Sequence, residues 1–395
     1  MNKTVYSRQY AVGKKKDRKL PIANCLLLIV LCFLSSVFWC GCTSQEQKIP
    51  LYPIKGVCYN PVPIGQGYDY NFWQDADELA EIDGKLMSEM GVNMVRFYQP
   101  GNDVSQTKRL IHQLYTRYKI RSAVGHQLGF WDRYLNYADP RFQKRIEDKV
   151  LEMVRSLKDE PGISLWILGN ENNRSFGDNG LRKWSSPELD KIESSYKRSE
   201  KKAEIYYRFV NRLAKKIHQI DSRPVALGHA DLTFLDIAKD IIPDIDILAI
   251  TVYRGDSFGN FFNQVKKIEK PFFFSEFGCD AYNALLKKED EENQALFLKN
   301  QWKEIKENFG PEGCLGGFVF EWSDEWWKYA QWDRQGYAVH NPEATWTNGG
   351  YYFDAPAGKN INEEWWGIAA LEKQEGGLDK RVPRKVYYEL QKMWE

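Results

Sequence analysis

Two glutamates each stand at the end of an apolar run. In Leu165-Trp166-Ile167-Leu168-Gly169-Asn170-Glu171-Asn172 the run stops at an Asn-Glu pair; in Phe272-Phe273-Phe274-Ser275-Glu276-Phe277-Gly278 it ends on a single glutamate. A carboxylate beside such a run is costly to bury unpaired, so each either reaches solvent or has a chemical task. Taken singly, either reads as a salt-bridged rim residue. Taken together, at two strand ends facing one mouth, they suit a double displacement at an acetal carbon. That reaction needs an acid to protonate the leaving oxygen and a carboxylate nucleophile about 5–5.5 Å away. It asks opposite states of the two, Glu276 ionised for attack and Glu171 protonated for departure. Between neutral Asn170 and Asn172, Glu171 is expected to lack a cation of its own, and a charged Glu276 would raise its pKa.

The elements that must position these groups can be read from Leu51 onward. Short β-branched or aromatic runs cover Ile54–Asn60, Asn93–Gln99, Ile120–Gln127, Ile163–Asn170, Pro224–His229, Ile245–Tyr253, Pro271–Phe277 and Leu315–Trp322. Helical patterns separate them, among them Ala76–Met90, Pro140–Lys158, Glu200–Ile220 and Glu291–Asn308. Asp139-Pro140 and Ser185-Ser186-Pro187 look like helix starts, with a capping residue ahead of a first-turn proline. Eight such alternations predict an α/β fold, a single (β/α)₈ barrel over residues 51–395. A doubly wound sheet would show a Gly-rich phosphate turn after its first strand, where Cys58-Tyr59-Asn60-Pro61 stands instead. Two segments exceed ordinary βα loops: Asn172–Ser199 after strand four and Ser323–Asn362 after strand eight. Both follow strand C-termini, the face on which barrels build their sites.

On these motifs the chain resembles the clan A glycoside hydrolases, retaining (β/α)₈ enzymes whose acid/base and nucleophile glutamates follow strands four and seven. The resemblance implies Glu171 as acid/base, Asn170 as a donor to a sugar 2-hydroxyl, and Glu276 as nucleophile. Arg96 in Val95-Arg96-Phe97 resembles the arginine that steadies the nucleophile, and Tyr253 the aromatic hydroxyl beside it. Trp322, after Phe318-Val319-Phe320-Glu321, resembles the strand-eight tryptophan under the −1 sugar. Within the clan, Val252–Phe258, Pro271–Cys279 and Gly316–Trp322 look most like bacterial relatives of β-1,3-glucanosyltransferases, with family 2 barrels next. The expected substrate is therefore a β-linked poly- or oligosaccharide, with β-glucan foremost, cleaved or transferred without a cofactor. The chain departs from the pattern at Arg254-Gly255-Asp256, in lacking a recognisable sandwich domain, and over Trp326–Trp366.

Other polar strand-end residues admit two readings. His126, Gln127, His229 and Asp231 either bind sugar hydroxyls or cap loops, and Glu321 is expected to support a barrel Arg or Lys. Seven of the 14 tryptophans (Trp322, Trp326, Trp327, Trp332, Trp346, Trp365 and Trp366) crowd into residues 322–366. Indoles stack on the C–H faces of sugars, so this loop could form an extended cleft, although some of its rings must pack the loop itself.

The first 41 residues hold seven Lys/Arg against one Asp, which leaves the remainder with 48 basic and 53 acidic residues and a balance of −5. An acidic body argues against nucleic acid as the main partner. The basic stretch, the apolar run from about Ile22 to Trp39, and Gly41-Cys42 resemble a lipoprotein leader over residues 1–42, with Cys42 lipidated. An uncleaved membrane anchor or a cleaved secretory signal is the alternative. Each places the body in an extracytoplasmic space, and the lipoprotein reading attaches it to a membrane. Three cysteines (Cys58, Cys279 and Cys314) fall in the body without CxxC spacing and read as buried thiols. The five histidines show no HxH or HExxH, so no metal site is expected, and no G-x-S-x-G elbow supports a serine hydrolase. The rival from another class is a non-catalytic glycan-binding surface lipoprotein on a degenerate barrel. It predicts the loss of a catalytic carboxylate, whereas Glu171 and Glu276 are both present.

Overall fold

The computed structural model describes residues 52–283, 286–328, 336–342 and 362–395. The leader with Cys42, and Trp332 and Trp346, lie outside the described residues. Eight parallel strands form the centre: β1 (Ile54–Cys58), β2 (Met94–Phe97), β3 (Arg121–His126), β4 (Ile163–Leu168), β5 (Val225–Ala230), β6 (Ile247–Thr251), β7 (Phe272–Phe277) and β8 (Cys314–Val319). They close into a barrel in the order β1-β8-β7-β6-β5-β4-β3-β2. The fold is a (β/α)₈ barrel.

Alternation along each strand sorts the apolar residues into two layers. Ile54, Cys58, Met94, Leu165, Ile167, Ile247, Phe273 and Phe318 fill the barrel interior. Val57, Val95, Val124, Trp166, Leu227, Ile250 and Phe274 face outward, where Leu110, Val150, Leu213 and Trp302 from the helices cover them. Phe318 fills the barrel so tightly that a Cβ on Gly56 would stand 2.4 Å from its ring.

The helices begin where side-chain caps satisfy their first N–H groups. Asp103 accepts from Ser105 and Gln106 at the start of Val104–Tyr118, Asp139 from Arg141 at Pro140–Leu157, and Asp290 from Asn293 at Glu291–Glu307. Helix Ser195–His218 starts five residues before the amphipathic stretch because Ser194 caps it through the N–H of Lys197. The long segment after β4 is accordingly less open than its composition suggests. It holds a 3₁₀ turn at Asn172–Ser175 and a short helix at Pro187–Asp190 capped by Ser186.

The ladders also end sooner than the apolar runs. Tyr59, Tyr98, Tyr253 and Phe320 all lie just past their strands, at the rim. Beyond β8 the chain returns through the antiparallel pair Ala369–Glu372 and Lys380–Pro383, bridged to Ser323, before the closing helix Lys385–Trp394. The three body cysteines are free and buried. No helix among the described residues is long and apolar enough to cross a membrane.

Candidate active site

Glu276 owes its position to an irregularity in β7. Phe273 faces the interior and Phe274 faces outward, so strict alternation would send Glu276 to the helix side. Relative to both neighbours, β7 carries an extra residue here: Ile250 and Thr251 oppose Phe274 and Glu276, and Gly317 and Val319 oppose Phe274 and Phe277. Such a bulge re-aims a side chain. Here it turns the Glu276 carboxylate into the mouth.

Three donors meet it there. Arg96 Nη1 donates to Oε1 at 2.8 Å, Tyr98 Oη to the same oxygen at 2.8 Å, and Tyr253 Oη to Oε2 at 3.0 Å. The Arg96 and Glu276 side chains are only 2% and 9% exposed, so the ion pair is shielded from screening. Burial first, and the Glu276 charge with it, holds both tyrosines well above their ordinary pKa, and they remain donors. The Arg96 guanidinium lies 4.4 Å over the Tyr98 ring and also donates to the Ser275 carbonyl at 2.8 Å.

The end of β4 is a tight turn that presents Glu171. Gly169 has φ +88° and a Cβ there would meet the Tyr206 hydroxyl at 2.5 Å, so only glycine fits. Glu171 itself sits at φ 56°, an uncommon conformation that its neighbours must enforce. Asn172 Oδ1 accepts from the Asn170 N–H at 2.6 Å, while its Nδ2 donates to the Gln127 carbonyl and to the Tyr137 hydroxyl. Asn173 pairs with both backbone groups of Ala230 at 2.8 and 2.9 Å, pinning the turn to β5.

Arg96 joins the two halves of the site. Its Nη2 donates to Asn170 Oδ1 at 2.8 Å, which orients the Asn170 amide so that its NH₂ is the group offered to a ligand. Burial raises the Glu171 pKa to about 7, and the Glu276 and Glu363 charges add to the shift. Arg174, 3.2 Å away, opposes it. The expectation that Glu171 has no cation is therefore corrected, because the 3₁₀ turn swings residue i+3 back onto it. Glu171, whose pKa is raised to about 7, thus shares the mouth with Glu276, which three donors hold.

The wall on the β8 side is aromatic and charged. Tyr253 packs edge-on to Trp366 at 5.0 Å and to Phe320 at 6.4 Å, and both rings belong to the interior cluster. Lys328 Nζ lies 4.5 Å over Phe320, between Glu325 at 2.8 Å and Glu363 at 2.9 Å. Burial, reinforced by Glu325, holds Glu321 well above the ordinary carboxylate range, and Lys328 is the cation it faces.

Some residues picked out in the sequence lie elsewhere. Trp322 is 1% exposed and belongs to the outer layer between strands and helices, because the alternation that still holds at Phe320 lapses beyond it, past the end of the ladder. Phe320 and Trp366 occupy the rim instead. His229 also faces the helices, its Nε2 on the Tyr207 hydroxyl at 2.8 Å and its Nδ1 on the Asp231 carbonyl at 2.9 Å. His126 accepts from the Leu128 N–H through Nδ1, and the charges that act on it are those of Lys149 and Asp132. Asp231 is held by Arg254. Trp327 packs with Val62 and Tyr337, while Trp326 stacks on His340 and His340 on Trp365. Among the described residues no cluster of His, Cys, Asp or Glu could hold a metal ion.

Tyr98 and Arg174 are residues of the candidate site that the sequence did not single out, and Trp366 was named only within the tryptophan cluster. Tyr98 was within reach, since it lies two residues after Arg96 on the same strand face.

No protein-family model matches the sequence, and no curated protein matches it. Solved structures do. A family 2 β-galacturonidase from Eisenbergiella tayi superposes with a TM-score of 0.51 at 16% identity, over 87% of this chain and 51% of its own. A β-glucuronidase from Bacteroides uniformis gives 0.55 at 17% identity, over 87% and 35%. A β-D-glucuronidase from Dictyoglomus thermophilum gives 0.52 at 15%, over 87% and 50%. At these identities the likeness establishes the barrel fold. The chain spans about a third to a half of the length of these proteins.

Proposed function

We propose that the chain is a retaining glycoside hydrolase or transglycosylase acting on β-linked oligo- or polysaccharides. One observation carries the reading: Glu276, aimed by a bulge and held by Arg96, Tyr98 and Tyr253, shares a mouth with Glu171, whose pKa of about 7 suits a general acid. Glu276 attacks the anomeric carbon while the Glu171 proton passes to the leaving oxygen. In the second step Glu171 takes a proton from water, or from a sugar hydroxyl when transfer occurs. The Asn170 amide binds the 2-hydroxyl, and Phe320 and Trp366 pack beneath the sugar.

Solved β-glucuronidases and a β-galacturonidase share the barrel, which supports a β-glycosidic bond as the target. The leader adds a setting: a lipid on Cys42 would hold the body at an extracytoplasmic membrane surface. Cys42→Ala should then release it from the membrane fraction.

The deciding experiment incubates the protein with aryl β-glucosides, β-glucuronides and β-galacturonides and with β-glucan oligosaccharides, and follows the anomer first released by NMR. Release of the β-anomer supports the assignment. Release of the α-anomer, or binding without turnover on every substrate, overturns it.

A further inference from the structure

The loops after β3 and β4, with the first turns of helix Pro140–Leu157, line an open recess of about 810 Å³. Neither Glu171 nor Glu276 lines it. Its lining is strongly basic: Arg133, Arg141, Arg145, Arg182 and Lys183 face it, against Asp132 and Asp139. This is unexpected on a body whose overall balance is −5.

The two acids are already engaged. Arg145 pairs with Asp132 at 2.6 Å and Arg141 stands 3.5 Å from Asp139. Arg182 donates to the Asp132 backbone carbonyl, and the Arg133 guanidinium lies 5.3 Å over the Tyr134 ring. Arg133, Arg182 and Lys183 therefore have no carboxylate within ion-pairing distance among the described residues. Three uncompensated cations around one recess favour an anion, and arginine forks fit carboxylate and sulfate oxygens. Tyr134 also lines the recess and is 75% exposed, which offers a flat face to a sugar ring.

Position ties the recess to the chemistry. The Leu181 N–H, next to Arg182, donates to the carbonyl of Arg174, and Arg174 pairs with Glu171. On the other side Tyr137, next to Asn136 of the lining, accepts a hydrogen bond from Asn172 in the Glu171 turn.

We propose that this recess is a remote subsite for an acidic sugar, bearing a carboxylate or a sulfate ester, of the same polymer that is cleaved between Glu171 and Glu276. The proposal rests on the function given above and names its substrate class, an acidic β-linked glycan. A glycan is favoured over a nucleic acid because the loops that line the recess are hydrogen-bonded to the turn that carries Glu171.

The test is calorimetric binding to the full chain carrying Glu276→Gln, which cannot turn over. Four probes of similar length are compared: a glucuronic-acid oligosaccharide, a sulfated β-gluco-oligosaccharide, the neutral β-gluco-oligosaccharide and single-stranded DNA. At least one acidic sugar should bind about 10-fold or more tightly than the neutral one at low salt, and the gap should shrink in 0.5 M salt. Which acidic arm shows the gain separates carboxylate from sulfate. Arg133→Ala/Lys183→Ala should remove about 10-fold of the acidic affinity and leave neutral binding in place. The milder Arg133→Gln/Lys183→Gln pair, with unchanged circular dichroism, guards against a folding artefact. Equal binding of acidic and neutral sugars, no loss in both double variants, or equally tight binding of DNA would overturn the proposal. Wild-type turnover is read separately: selective acidic binding without cleavage sinks the catalytic reading alone, and cleavage without that selectivity sinks only the subsite.

Discussion

Arg174 lies 3.2 Å from Glu171, three residues after it in the same tight turn. It works against the burial that lifts the Glu171 pKa to about 7. Glu171 is thus set between two opposing influences, and changing one should move the working pH range of the proposed acid/base. In the wild type, kcat/KM should fall as pH rises through about 7, where the general acid loses its proton. Arg174→Met removes the downward influence, so Glu171 keeps its proton longer and the alkaline limb should move up by about one pH unit. A pH–rate profile on an aryl glycoside checks this. An unmoved or lowered limb would show that Glu171 is not the titrating acid.

The same shift has a consequence for stability. The folded-state pKa of Glu171 is raised above its unfolded value, so the native state binds the extra proton. Stability on this account is fully present below about pH 4.5 and is lost as pH climbs through about 7. Glu171→Gln carries no charge and escapes that loss. The variant should be more stable than wild type at pH 8, by up to about 3 kcal/mol, with little difference at pH 4.5. Thermal melts at the two pH values measure it, and an equal difference at both would count against a titrating Glu171.

Tyr98 is the donor most open to a clean test. Tyr98→Phe keeps the ring under the Arg96 guanidinium but removes one of the two hydrogen bonds to Glu276 Oε1. Hydrogen bonds to charged groups contribute about 1.5–3 kcal/mol, so kcat should fall roughly 10- to 150-fold with a smaller change in KM. Steady-state kinetics decide, and a loss confined to KM would move Tyr98 from positioning the nucleophile to simple binding.

The barrel was legible in the sequence because both layers leave a pattern. Strands buried on two faces read as short apolar runs, and helices covering them repeat at helical spacing. Arg96, Glu171 and Glu276 were legible as charges set against those runs. The local geometry was hidden. Nothing in Phe272-Phe273-Phe274-Ser275-Glu276-Phe277 announces a bulge, since an inserted residue in an apolar string changes no residue type. Trp322 was misplaced for a related reason: a motif resemblance put it under the sugar, but a motif does not show which way the chain turns once the ladder ends at Val319. Ser194 shows a third limit, because a cap can start a helix through residues whose apolar pattern is weak.

The relocation of Trp322 separates two variants. Trp322→Ala deletes a fully buried ring from the outer layer and should cost about 3–5 kcal/mol of stability. The protein that remains folded should keep a near-normal kcat. Trp366→Ala removes a ring packed against Tyr253 and Phe320, so it should lower turnover more than the melting temperature. Active-site titration alongside thermal denaturation distinguishes the two. Should Trp322→Ala cut kcat in fully folded protein, the ring would have to be returned to the site.

The division of labour between the glutamates gives the most discriminating prediction. Glu276 is the group met by Arg96, Tyr98 and Tyr253, and Glu171 is the one whose pKa sits near neutrality. Removing each should therefore fail differently. Glu276→Ala should abolish turnover, by at least about 10⁴-fold, because no covalent intermediate can form. Azide is small enough for the vacated space and carries the missing negative charge. On an aryl β-glycoside it should attack from the nucleophile's face and yield the α-glycosyl azide, with inverted configuration. Glu171→Ala keeps the nucleophile, so substrates with good leaving groups should still form the intermediate quickly and then stall for want of a base. Azide needs no base, and here it should release the intermediate as the β-glycosyl azide, with retained configuration. Opposite azide anomers from the two variants, identified by NMR, fix both roles at once. The same anomer from both, or near-normal activity in Glu276→Ala, would falsify the double displacement assigned to this pair.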